Sequence, residues 1–427
     1  MLSRVQARAI VKDVATVTAI WRDAAKEVGP RGAEINRMAQ RIRARRPEPS
    51  ASLMTRTFLH SFDPPTANPV SGPTVDLDVA AIEDAGIREV LQTPGAAYGA
   101  WSILDALLTP TGSGTPFLFR EPLGQAREVK VALSGLFGRF IARAYLERYF
   151  NLSIFAHLGS RVIDLDGRRK VKITRLSRGD LPDWIACASD LSSLTVAEAK
   201  GCHDAGGPAA ALARAWKQAA RIDVTARGRK VTVKRIAVAT RWGMAVSGPA
   251  DAHLSVKDPV DEGEPIKPEE KDALFIGLLR LHIANLIRPL GHAELSDVLK
   301  RMTHQPFANR LRADLQMARS LLDAAPVGDV EKASATGGLI GGIVTRAGPI
   351  NDAGISGTDQ EALARLNLRP IFVGIDRDLI RAAIDAEPDA VRARLTKTAE
   401  PDDFARSDRA GGWIVPLGQE RRIIGGT

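Results

Sequence analysis

Between Ser134 and Trp242 the apolar residues change their period from helix to strand and back, and that succession restricts the fold more than any other feature of the chain. In SGLFGRFIARAYLERYF, residues Leu136, Phe137, Phe140, Ile141, Ala144 and Tyr145 recur at helical spacing and predict a helix over 134–150. RVIDLDGRRKVKITRL alternates around an Asp-Gly pair, which predicts a hairpin. DWIACA and LTVAEA are short apolar runs of strand length. PAAALARAWKQAARI predicts a helix with proline in its first turn, and KRIAVATRW, rich in β-branched residues, a closing strand. The order helix, three strands, helix, strand belongs to the α/β class, whose helices bury their apolar stripes against a sheet.

The flanks of this segment read differently. A chain of 427 residues exceeds the usual single domain, and we divide it into 1–130, 131–250 and 251–427. The first part is expected to be mainly helical: Val5, Ile10, Val14, Val17 and Ile20 have helical spacing, the pattern breaks at Gly29-Pro30, and RIRARR ends it as a solvated helix end or a phosphate contact. RRPEPSAS and FDPPTANPVSGPT are rich in proline and small polar residues and are expected to be linkers or surface loops. AAIEDAGIREVLQ and AAYGAWSILDALL predict two more helices. In the third part SVKDPVDEGEPIKPEEK reads as a charged linker, helices follow to about Ala325, and GGLIGGIVTRAGPI and RPIFVGI read as strands with a helix after them. The Gly-Gly pairs lack a following Lys-Ser/Thr, so they do not form a P-loop.

Composition narrows the class. With 44% hydrophobic and 26% charged residues the chain is neither disordered nor fibrous. The longest apolar stretch, ALFIGLLRLHIANLI, is broken by Arg280 and His282 and is expected to be a buried core helix, with no membrane partner. The N-terminus lacks the uninterrupted apolar core of a secretory signal, an Arg-rich transit peptide being the alternative. Cys187 and Cys202 are too few for a disulfide framework, which fits a reducing cytoplasm. The seven histidines show no HExxH or paired ligand spacing, against a zinc hydrolase.

Charge is more telling. Residues 131–250 hold 20 Lys and Arg against 9 Asp and Glu, a net of +11, whereas the whole chain carries +9. The basic excess therefore lies in the middle segment alone. A concentrated positive field draws polyanions, so a nucleic acid is the expected partner, against a merely solvated basic surface.

A phosphodiester resists attack by water because it is an anion, and a bound cation both neutralises developing charge and acidifies the water. Mg²⁺ takes oxygen ligands, usually one or two carboxylates with waters and substrate phosphate. Asp183 stands at the start of one strand-like run and Glu198 near the end of the next, so antiparallel pairing would bring them together. Glu198 and Lys200 share one face of their strand, while Ala199 points to the core and offers its carbonyl as a further ligand. Lys200 could then orient the attacking water or stabilise transition-state charge. The competing interpretation is a strand-end salt bridge between Glu198 and Lys200, with Asp183 a turn residue.

Pro182, Asp183, Glu198, Ala199 and Lys200, with a helix before and a helix bearing Gln218 after, resemble the motif of the PD-(D/E)XK nuclease superfamily. The resemblance covers about 120 residues. It implies a restriction-endonuclease-like αβββαβ core with a mixed sheet, Mg²⁺ (or Mn²⁺) held by Asp183 and Glu198, and a catalytic Lys200. Similarity to the RecB-like branch adds Gln218 near the site. The implied function is a metal-dependent DNA endonuclease of restriction, antiviral defence or DNA processing, with a homodimer or defence-system proteins among its partners. A ribonuclease and a nuclease-fold binding scaffold without turnover are the alternatives. One departure concerns the first core helix, where many members carry a glutamate: Arg139 falls about there, with Glu147 two turns later, which leaves the number of metal ions open.

Other residues have weaker cases. His203 and Asp204 could reach a metal or phosphate from a loop, Trp184 and Trp216 could stack on bases or pack in the core, and Cys202 is expected to be a bystander.

Overall fold

The computed structural model describes residues 55–93, 127–158, 164–166, 171–190, 194–203, 206–241, 252–259, 263, 265–304, 307–328, 338–345, 348–350, 371–395, 406–407 and 410–416. All belong to one unit, Leu53–Thr427. The expected helices of residues 1–46, AAYGAWSILDALL and Asp204 lie outside the described residues.

β1 (Thr55–Asp63) alternates exposed and buried residues along its whole length, so one face is committed to the core. β2 (Thr74–Asp78) returns antiparallel to it, and the Asp78 side chain caps α1 (Val79–Gln92) by accepting from the Ala80 amide. α2 (Arg127–Tyr149) leads to β3 (Ile154–His157). A hairpin follows, β4 (Asp164–Asp166) with β5 (Val171–Arg175). Then come β6 (Trp184–Cys187), β7 (Leu194–Cys202), α3 (Ala209–Ala219), β8 (Ile222–Ala226), β9 (Arg229–Lys230), β10 (Lys234–Arg241) and β11 (His253–Lys257). The C-terminal part holds α4 (Pro268–Ile287), α5 (Ala293–His304), α6 (Ala308–Ala324), β12 (Leu339–Thr345), β13 (Gly348–Ile350), β14 (Ile371–Asp376), α7 (Arg377–Asp385), α8 (Pro388–Leu395), β15 (Arg406–Ser407) and β16 (Gly412–Pro416).

The main sheet is mixed and seven-stranded, in the order β2-β1-β11-β10-β7-β6-β3. β3, β6 and β7 are antiparallel neighbours, β10 lies parallel to β7, and β11 joins antiparallel to β10 and parallel to β1. The protein is thus α/β, and from α2 onward its main-sheet strands follow helix, three strands, helix, strand.

Two expectations change and one is decided between its alternatives. The first central strand is Ile154–His157, whereas the predicted hairpin β4–β5 leaves the main sheet and pairs with β8 and β9 in a separate four-stranded one. The stretch read as a charged linker from Ser255 begins inside β11, an interior strand of the main sheet. Of the two readings of the proline-rich stretch beginning at Phe62, the surface loop is the one present, within a hairpin, because Thr55–Asp63 and Thr74–Asp78 on either side both enter the sheet. Strands from all three expected segments therefore share one sheet, and a single cluster of buried apolar residues runs from Phe58 to Ile414.

The C-terminal helices close one side. α4 has the length and a mean hydropathy, 1.4, that would suit a bilayer, yet 78% of that window is buried among β3, α1, α5 and α7. Its polar side chains have partners: Arg280 donates to the Ala383 and Ile384 carbonyls at the end of α7, and His282 Nδ1 lies 3.1 Å from Gln92 Nε2 on α1. An antiparallel sheet, β13-β12-β14-β16-β15, completes the unit. Gly341 and Gly342 in β12 abut the Val373 and Leu290 carbonyls, close packing that accounts for the Gly-Gly pair.

α2 lies directly on β7. A Cβ on Gly138 would come within 2.5 Å of the Gly201 nitrogen, and one on Gly201 would fall 1.8 Å from the Ser134 carbonyl oxygen. Two glycines thus let helix and strand backbones touch, beside Arg139 in the helix and Lys200 in the strand.

Candidate active site

Register brings the first two carboxylates together. Trp184 pairs with Ala197 across antiparallel β6 and β7, so Asp183, one residue before β6, falls opposite Glu198. The Asp183 amide donates to Glu198 Oε2 at 2.9 Å, and the Ala199 amide donates to Asp183 Oδ2 at 3.0 Å. In an extended residue N–H and C=O point to the same edge, so the Ala199 carbonyl also faces the side where β6 has ended. Its methyl group packs in the apolar core, as the strand period requires. Lys200, on the same face as Glu198, brings its Nζ onto Glu198 Oε1.

These carboxylates are held where charge is costly. Glu198 is fully buried, and burial followed by the neighbouring Asp183 charge pushes its pKa up to about 8, with Lys200 pulling the other way. Burial likewise raises Asp183, opposed by the Arg139 guanidinium and the Ala199 amide. A buried Glu198 and a partly buried Asp183, facing each other with a carbonyl on the same edge, form an oxygen donor set that suits a hard divalent cation completed by waters. Among the described residues no group of three or more His, Cys, Asp and Glu is arranged to hold a metal, so such an ion would rest on this smaller set.

A third carboxylate, absent from the sequence reading, lies behind them. Glu89 of α1 is wholly buried, 3.2 Å from His157 Nε2, 3.5 Å from Arg139 Nη1 and 3.4 Å from Arg143 Nη1, and it accepts the Trp184 indole N–H at 3.0 Å. Burial alone would raise its pKa, but His157 first, then Arg139 and Arg143, bring it down to about 2. Arg139 bridges forward: its Nη1 is 3.9 Å from Asp183 Oδ1. The available signal was Glu89's position on the apolar stripe of α1, four residues after Ala85 and seven after Ile82.

The remaining predicted residues separate. Gln218 on α3 donates its Nε2 to the Leu181 carbonyl at 2.7 Å, so it supports the chain entering Asp183. Glu147 pairs with Arg143 and Arg88, away from Asp183 and Glu198. Trp184 is buried, whereas Trp216 borders a cavity of about 280 Å³ with Leu176, Lys230 and Arg235, its ring 5.6 Å from Lys257 Nζ. Cys202 packs against Ala211 and Ala239, and His203 is half-buried beyond the end of β7. Lys172, Arg175, Arg178, Arg214, Lys217 and Arg227 are exposed, which places much of the middle segment's positive charge at the surface.

Comparison of the chain with protein-family models, with curated proteins and with solved structures finds no match in any of the three.

Proposed function

We propose that this protein is a metal-dependent nuclease that hydrolyses phosphodiester bonds in DNA, with Mg²⁺ or Mn²⁺ at Asp183, Glu198 and the Ala199 carbonyl. The observation that carries this reading is the mutual placement of Asp183 and Glu198, one partly buried and one buried carboxylate in hydrogen-bonded register with an ammonium beside them. Further support comes from the restriction-endonuclease-like order of elements and from the exposed basic residues.

When bound, the ion supplies charge neutralisation at the phosphate and a more acidic water. The chain's own residues do the positioning. Asp183 and Glu198 present their oxygens from facing strands, so neither can turn away without breaking a backbone hydrogen bond. Lys200, about a third exposed, stands between Glu198 and solvent, where it can orient a water or meet a phosphoryl oxygen. Gln218 keeps the Leu181–Asp183 segment in place. The surface cations hold the flanking phosphates, an attraction that weakens as salt rises.

The test is cleavage of plasmid, linear DNA and RNA by the full chain in Mg²⁺ and in EDTA, beside Asp183→Asn. We expect Mg²⁺-dependent cutting of DNA by wild type, and a loss of at least 10² in the variant with DNA binding retained. Cutting of RNA alone would replace DNA by RNA as substrate. DNA binding without cutting by wild type would leave a binding scaffold, and cutting that Asp183→Asn leaves unchanged would remove the site.

A further inference from the structure

Glu89, Asp183 and Glu198 are three carboxylates beside which two cationic side chains stand. Lys200 contacts Glu198, while Arg139 lies between Glu89 and Asp183, 3.5 Å from one and 3.9 Å from the other. Phosphodiester chemistry is often served by two divalent ions about 3.5–4 Å apart that share a carboxylate. Beside Asp183, Glu89 is the further carboxylate that a second ion would have to use. Here the space between these two is taken by a guanidinium, which stays protonated at any ordinary pH and offers a metal no lone pair.

We infer that Arg139 replaces a second metal ion, so that the site binds one divalent cation, between Asp183 and Glu198, with a built-in organic cation as its companion. This rests on the metal-dependent reading above. Arg139 has little freedom to withdraw. Glu89 forms an ion pair with it from the buried side at 3.5 Å and is itself fixed by the Trp184 indole and by Arg143, which also donates to Gln92 at 2.7 Å. Gly138, the preceding residue, is packed against the β7 backbone at Gly201, so α2 cannot slide to carry Arg139 away. A cation arriving at Asp183 Oδ1 would meet a like charge within a few ångströms. The Arg139 side chain is still a quarter exposed, so it can face an incoming phosphate while Glu89 holds it from behind.

The test counts ions. Mn²⁺ is titrated into the full-length wild type, Arg139→Lys and Arg139→Gln at neutral pH, free Mn²⁺ being read by electron paramagnetic resonance and folding by thermal melting. We expect one Mn²⁺ per chain, lost in Asp183→Asn, for wild type and Arg139→Lys. Arg139→Gln, which removes the charge but keeps a polar side chain, should bind a second. Two ions in wild type, or a folded Arg139→Gln that still binds one at unchanged affinity, would overturn the inference while leaving the metal site standing. No ion in wild type would overturn both. Should Arg139→Gln not fold, the wild-type count decides: one ion and a Mg²⁺ dependence of cleavage with a Hill coefficient of about 1 support the inference, and two ions reject it.

Discussion

Asp183 and Glu198 are each tied to the other's strand: the Asp183 amide donates to the Glu198 carboxylate, and the Asp183 carboxylate accepts from Ala199, the residue after Glu198. This reciprocal pair does two things at once. It satisfies two backbone donors that the end of β6 would leave unpaired, and it fixes two carboxylates side by side despite their repulsion. Satisfied backbone groups thus offset part of an electrostatic cost that a bound cation would relieve further.

The cost has a pH signature. Glu198 titrates at about 8 in the folded protein against a reference of 4.5, because burial and Asp183 disfavour its charge. A folded-state pKa above the unfolded one means stability that is full below about pH 4.5 and is lost as pH rises through about 8. In EDTA, wild type should therefore lose melting temperature between pH 5 and 8 relative to Glu198→Gln, whose amide does not ionise. Mg²⁺ should narrow the gap at the alkaline end, since an ion that binds only the folded, ionised site stabilises it. Parallel melting curves for the two proteins across this range would contradict the buried, coupled placement of Glu198.

Glu89 carries the opposite sign. Held at about 2, it contributes stability that is present above its reference pKa and lost as pH falls through the folded value. Glu89→Gln keeps the shape and an acceptor for the Trp184 indole but leaves Arg139, Arg143 and His157 without their shared anion. Removing one partner of a buried ion pair typically costs about 3–5 kcal/mol, and a loss on that order is expected by urea unfolding at pH 7. A loss below about 1 kcal/mol would mean that Arg139, Arg143 and His157 find other partners. That outcome would also loosen the hold on Arg139.

Contact between α2 and β7 can be probed without touching a charge. Gly201→Ala would drive a methyl group into the Ser134 carbonyl, and relief requires helix and strand to part. Overpacking of this kind costs about 1–3 kcal/mol, and since Lys200 precedes Gly201 the displacement should lower cleavage as well as melting temperature. Gly206→Ala is the control, because nothing lies within 4 Å of a Cβ there. Equal behaviour of the two variants would show that the helix does not rest on the strand as described.

Much of the central segment was legible in the sequence because its determinants are local. The apolar periods of α2, α3, β6, β7 and β10 lie within a few turns of chain, and a short connection between DWIACA and LTVAEA makes antiparallel pairing the natural outcome. The juxtaposition of Asp183 and Glu198 followed from that pairing, and that of Glu198 and Lys200 from the strand period. Glu89 did not, since 95 residues separate it from Trp184, whose indole it accepts, and no periodicity reports which helix will pack behind a strand. β1 and β11 were hidden for a related reason. Each is flanked by proline and charge, and their mutual parallel pairing joins residues almost 200 positions apart in sequence. Gln218 was placed near the site by resemblance, and its contact with the Leu181 carbonyl gives it a positioning task.

Lys200 separates the catalytic reading from the competing one most sharply. Its ammonium contacts Glu198 and is about a third exposed, a geometry that a plain salt bridge and a catalytic cation share. As a salt bridge partly open to water it should be dispensable, with Lys200→Ala costing about 0–1 kcal/mol and leaving turnover unchanged. Its loss would also raise the Glu198 pKa further, since Lys200 is what opposes burial and Asp183 there. As a cation placed for chemistry, its removal should lower single-turnover cleavage by about 10² or more, the scale of one positioned acid–base or electrostatic group. We expect the second result, with DNA affinity and its salt dependence close to wild type because the surface cations remain. Lys200→Arg should also cut poorly, since a planar guanidinium is bulkier than an ammonium at the same reach and does not release a proton. Cleavage is to be measured at pH 9 as well as pH 7, so that a difference in Glu198 ionisation between wild type and variants can be told from a loss of catalysis. Wild-type rates for Lys200→Ala at both pH values would reduce the pair to a strand-end salt bridge and take Lys200 out of the mechanism.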